Sequence, residues 1–137
     1  MPGNTRSGGV LEAMILPALE RGGYGVRAQV TIGDRLGCGR HVIDAVAEKG
    51  GQQVLVSVKW QQVAGTAEQK VPFELICLLD AIDRGPYTKA YLVLGGEGWK
   101  MRQFYIGGGL NRYLPLSDRV EIITLKGFVA KANQGQL

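Results

Sequence analysis

Residues 41–62 read HVIDAVAEKGGQQVLVSVKWQQ, and the way this stretch pairs with itself decides the fold. His41–Ala47 and Gln53–Trp60 are apolar and rich in β-branched side chains, and the EKGGQ between them has turn composition, so the segment reads as a β-hairpin. Side chains alternate along the second strand: Ser57, Lys59 and Gln61 share one face, and Val56, Val58 and Trp60 take the other. With the hairpin in register, Asp44 stands beside Lys59.

Upstream, Tyr24–Ile32 alternates with Val26, Ala28, Val30 and Ile32 on one face, which predicts a third antiparallel strand. Before it, Val10, Leu11, Met14, Ile15, Ala18 and Leu19 recur at helical spacing, and Gly22-Gly23 supply a stop. A helix over residues 9–21 follows, kinked or shortened by Pro17. Downstream, Pro72 is expected in the first turn of a helix that runs to Ile82, is apolar nearly all round, and ends at Arg84-Gly85-Pro86. Tyr91–Leu94 and Val120–Leu125 read as buried strands, and Lys126–Asn133 as a closing helix. The fold class is therefore α/β, a mixed β-sheet flanked by helices.

At 137 residues and 45% apolar composition, the chain is expected to form one domain over 1–137, with the polar, glycine-rich residues 1–8 flexible. No apolar run of membrane-spanning length and no charged leader before an apolar stretch is present, which predicts a soluble, cytoplasmic protein. Cys38 and Cys77 lack the spacing of a zinc site or a disulfide scaffold and read as free intracellular thiols. A net charge of +4 and a pI near 9.2 suit a polyanionic partner.

Asp44 lies among Val42, Ile43 and Val46, an unnatural place for an idle surface carboxylate. A carboxylate beside a lysine is what phosphodiester hydrolysis uses: a hard cation on oxygen donors, an oriented water and a positive charge. The segment SVKWQQVAGTAEQKVPF (57–73) resembles the signature of compact PD-(D/E)XK nucleases, and the likeness extends from Leu11-Glu12 to LGGEGW at 94–99. The resemblance implies a restriction-endonuclease-like fold and a Mg²⁺-dependent endonuclease, with Mn²⁺ able to substitute. DNA would be cut to leave a 5′-phosphate and a 3′-hydroxyl, by a chain that can work as a homodimer. It makes Asp44 the first metal-binding carboxylate, Lys59 the catalytic lysine, Gln61 the polar residue two places on, and Glu12 an acid of the leading helix that joins the metal shell.

One position departs from the pattern. Ser57 stands where the second acid of the motif is expected, and a serine cannot replace a charged ligand. In some restriction endonucleases of this superfamily the strand reads S-x-K, and a glutamate from the following helix reaches the same metal. Glu74, fifteen residues after Lys59 and expected in the first turn of its helix, fits that migration. Glu68 competes, although a solvated place is expected for it. The assignment is Asp44, Glu74 and the Val58 carbonyl as metal ligands, with Asp44, Lys59, Glu74 and Gln61 as the catalytic set. If no acid replaces Ser57, the alternative is a catalytically inactive nucleic-acid-binding or assembly protein.

His41, the single histidine, reads as a structural or DNA-backbone contact. Lys100, Arg102 and Arg112, interleaved with Trp99, Phe104, Tyr105 and Tyr113, suit phosphate contacts and base stacking. LGGEGW and IGGGLNR lack a nucleotide-binding pattern and read as turns. No feature reads a 2′-hydroxyl, so DNA and RNA are not separated by sequence.

Overall fold

A computed structural model describes residues 9–37, 39–115 and 117–137, so the expectations for residues 1–8 and for the Cys38 thiol lie outside the described residues. A five-stranded sheet is laid out in the order β1 (Gly25–Asp34), β2 (Arg40–Lys49), β3 (Gln52–Trp60), β4 (Tyr87–Gly95) and β5 (Val120–Thr124). β1, β2 and β3 are antiparallel neighbours, while β4 pairs parallel to β3, and β5 parallel to β4. The β2–β3 turn is two residues long, and Gly50 (φ 61°) and Gly51 (φ 81°) supply the left-handed backbone such a turn demands.

Helices cover both faces. On one lie a π-helical turn (Leu11–Ile15) running into α1 (Leu16–Arg21), and α4 (Leu125–Asn133); Ile15, Leu19 and Phe128 pack there on Ala45, Val56 and Tyr91. On the other lies α2 (Ala67–Arg84), whose Val71, Leu75 and Leu78 pack on Leu55, Leu92 and Leu94. β4 is sandwiched between these layers, which explains its unbroken buried run from Ala90 to Leu94. The crossover from β4 to β5 carries α3 (Arg102–Ile106) and returns on the α2 side through Tyr105 and Leu110. Among the described residues no helix is long and apolar enough to cross a membrane.

Several expectations change. The first helix does span 9–21, but its early part is a wide turn in which the N–H of Leu16 reaches back to the carbonyl of Leu11, placing Pro17 in the first turn of α1. In β1, Val26 packs against the α1 layer, Ala28 is exposed, and Val30 and Ile32 pack against the α2 layer. The face changes at Gln29, whose φ of 55° breaks the pleat. β2 changes face beside it, since Ala45 belongs to the first core and Ile43 to the second. Asp44 lies at that break.

α2 begins at Ala67, five residues earlier than expected, so Pro72 is inside it and Glu74 is at the end of its second turn. Proline in a helix orphans the carbonyl four residues before it, here that of Glu68. Tyr105 repairs this: its hydroxyl donates to the Glu68 carbonyl at 2.8 Å. Burial and the Glu68 charge push the Tyr105 phenol above its ordinary pKa, keeping it a donor. Nor is α2 buried all round as a central helix would be, for the apolar Phe73 and Ile76 are exposed while Val71, Glu74, Leu75, Leu78 and Ile82 are buried.

Tyr105→Phe is expected to lower stability by about 2 kcal/mol, the scale for a buried carbonyl stripped of its donor. In a Pro72→Ala background, where residue 72 regains an N–H, the same change should cost less than half as much. Urea unfolding of the four proteins measures the cycle, and equal losses in both backgrounds would refute the repair.

Candidate active site

The β2–β3 ladder runs from Lys49 opposite Gln52 to Ala45 opposite Val56 and then stops. β3 continues alone beside β4 as far as Trp60. In the gap, the Val58 N–H that would have faced β2 donates instead to Asp44 Oδ2 at 2.7 Å. An extended residue carries its N–H and carbonyl on one strand edge, so the Val58 carbonyl faces the same opening.

Glu74 comes to this opening from α2. It is 1% exposed, and both of its oxygens are engaged. Oε2 accepts from Ser57 Oγ at 2.9 Å and from His41 Nε2 at 3.3 Å. Oε1 accepts from Arg35 Nη1 at 2.6 Å and lies 4.0 Å from Lys59 Nζ. The helix thus delivers a carboxylate onto the side chain of Ser57, where the motif lacks its acid.

The two carboxylates differ electrostatically. Burial drives the Asp44 carboxyl above its ordinary value; the Val58 N–H, Lys59 and Arg35 pull it back only in part, and the Glu74 charge adds to the rise. Burial acts on Glu74 too, but there the His41 bond and the Lys59 and Arg35 charges win and hold it at about 2. Asp44 is the carboxylate short of positive charge. Asp44, Glu74 and the Val58 carbonyl are oxygen donors of the kind Mg²⁺ takes, so the residues fit a hard divalent cation that completes its shell with water and substrate oxygens. Among the described residues, no group of three His, Cys, Asp or Glu side chains forms a metal cage by itself.

Other expected residues fall elsewhere. His41 is 1% exposed and bonded to Glu74, so the expected DNA-backbone contact gives way to a buried positioning role. Gln61 is buried, and its partners do not include Asp44 or Glu74: its Oε1 accepts from the Ala67 N–H at the start of α2, and its Nε2 donates to the Gly98 carbonyl and to Glu68. Glu68 is not solvated. Burial raises its pKa, but the backbone N–H groups of Met101 and Lys100 outweigh that and keep it below the ordinary value. Glu12 is exposed on the π-helical turn, in the layer across the sheet from α2.

The stretch after β4 leaves the sheet beside Lys59, which pairs with Leu94. Its glycines allow close backbone packing, since a Cβ on Gly96 would meet the Gln61 carbonyl and one on Gly98 the Val63 backbone. Lys100 is exposed, Arg102 donates to the Gly96 carbonyl at 2.8 Å, and exposed Arg112 lies over the Tyr113 ring. Trp99 and Tyr105 are core aromatics, whereas Phe104 and Tyr113 are exposed. Cys77 is buried.

Sequence patterning alone could not reveal Arg35, which lies outside the hairpin motif. The signal for Glu74 was available, as an acid within the apolar i, i+3, i+4 stripe of α2.

A mixed sheet between helical layers, parting at an Asp–Lys pair, is the architecture of a restriction-endonuclease-like nuclease domain. The family model described as PD-(D/E)XK nuclease superfamily domain matches residues 3–136, and the chain belongs to that superfamily. A solved structure titled "Crystal Structure of Protein of Unknown Function AF1548" is similar in fold, with a TM-score of 0.53 and 16% identity over 80% of this chain. The chain spans about half of that protein, 54% of its length. No curated protein matches.

A depressed carboxyl pKa stabilises the fold only while the group is ionised, so the Glu74 contribution is complete above about pH 5 and is lost as pH falls toward 2. Asp44 works oppositely, because its raised pKa costs stability while it is ionised and that cost ends as acid protonates it. Wild-type protein is expected to lose about 3 kcal/mol from Glu74 over this window. Glu74→Gln should be less stable at pH 7 by about 3 kcal/mol and show a flatter acid limb. Urea unfolding across pH checks this, and parallel profiles would contradict it.

Proposed function

We propose that this chain is a Mg²⁺-dependent endodeoxyribonuclease acting as a single domain over 1–137 in the cytoplasm, with Mn²⁺ able to substitute and homodimers able to pair two sites. The observation that carries the reading is the meeting of Asp44, Lys59 and Glu74 at the parted end of β2 and β3, in a chain that belongs to a nuclease superfamily.

Asp44, Glu74 and the Val58 carbonyl would hold the cation, which when bound supplies Lewis-acid polarisation of the phosphodiester and acidifies water. The protein's own groups do the rest. The Val58 N–H fixes Asp44 by Oδ2, so that Oδ1 would serve the cation. His41 and Ser57 orient Glu74, and Glu74 in turn keeps Lys59 Nζ at the opening, where it positions the attacking water and offsets charge on the phosphate. Lys100 and Arg112 reach toward flanking phosphates. Gln61 serves by holding the start of α2.

A second reading rests on the full engagement of Glu74: both oxygens already have protein partners, as in a nuclease fold kept for DNA binding alone. Cleavage assays with Mg²⁺ or Mn²⁺ on plasmid, single-stranded and four-way-junction DNA, with RNA alongside, separate the two. Asp44→Ala and Lys59→Ala are each expected to cut activity by roughly 100-fold or more, with DNA binding by Asp44→Ala intact. A wild-type protein that binds DNA and cuts none of these substrates would leave only the second reading.

A further inference from the structure

Of the four donors around Glu74, Ser57 and His41 are buried, while Lys59 and Arg35 reach Oε1 with partly exposed side chains. Ser57 and His41 hold Oε2 from within the sheet, and Lys59 stands off Oε1 on β3. Arg35 comes from the turn between β1 and β2, which is tied down through its backbone: the Arg35 N–H donates to the Gly39 carbonyl, and the Asp34 carbonyl accepts from Arg84. Its side chain is 24% exposed, against 2% for that of Glu74. Arg35 can therefore swing into solvent while Glu74 stays anchored through Oε2. Its charge is felt by Asp44 as well as by Glu74, whose Oε1 it occupies at 2.6 Å.

We propose that Arg35 is a latch: in the free protein it holds Glu74 Oε1 against a divalent cation, and a DNA phosphate draws it away. The inference rests on the nuclease reading above. A guanidinium suits the exchange because it pairs equally with carboxylate and phosphate oxygens through its planar fork. Two ligands that depend on the same side chain are linked, so metal and DNA each favour the binding of the other.

The test has two readouts, neither of which is cleavage. Mn²⁺ affinity of the full chain without DNA, by calorimetry, should rise about tenfold in Arg35→Ala. The dependence of duplex affinity on salt, measured in EDTA, should lose about one unit of its logarithmic slope in Arg35→Ala and keep it in Arg35→Lys. Arg35→Gln, which keeps a neutral donor to Oε1, serves the same two measurements if the alanine variant fails to fold. Mn²⁺ affinity that is unchanged or lower in the variants, Mn²⁺ binding by none of the proteins, or an unchanged salt slope overturns the latch. Cleavage by the wild type with neither shift keeps the nuclease and discards the latch; both shifts without cleavage do the reverse.

Discussion

A carboxylate taken out of water must find its compensation inside the protein, and Glu74 is that carboxylate here. Its partners come from the β1–β2 turn, from β2 and from two positions of β3, while Glu74 itself comes from α2. α2 could not shift over β2 and β3 without stranding the charge. The helix is thereby fixed over the sheet at the point where β2 and β3 part, more specifically than apolar packing of Val71, Leu75 and Leu78 would do alone.

The sheet contributes a second constraint. β1 and β2 change face at Gln29 and Asp44, so the Asp44 side chain is committed to neither core and accepts from the Val58 N–H through Oδ2 instead. Ladder termination then frees the Val58 N–H to receive it. Two carboxylates of opposite electrostatic character result. One is saturated with donors; the other is short of them.

Much of this was legible in the sequence. The hairpin and the nearness of Asp44 to Lys59 follow from strand period, and the family resemblance pointed to Glu74, which meets Ser57. What misled was local reasoning applied where distant residues decide. Proline chemistry set the start of α2 at Pro72, because nothing near it announces that Tyr105 will supply the missing donor. Gln61 has the motif's spacing, yet the main chain of Ala67 and Gly98 takes its amide. His41 and Arg35 gain their meaning only from Glu74, more than thirty residues away. The alternation of β1 failed at Gln29 because a left-handed backbone at a non-glycine residue leaves no mark in a hydropathy pattern.

The proline within α2 bears on how the chain reaches its fold. A helix normally closes its turns from its own sequence, but the turn at Glu68 waits for a hydroxyl 37 residues further on. That half of α2 is a poor nucleus by itself, and it becomes complete only when β4 has paired and the crossover has come back over the sheet. Opening of the crossover in the native state should likewise release the start of α2, so that the two exchange their amides as one cooperative unit, while the far half of the helix, held by Leu75 and Leu78, stays closed.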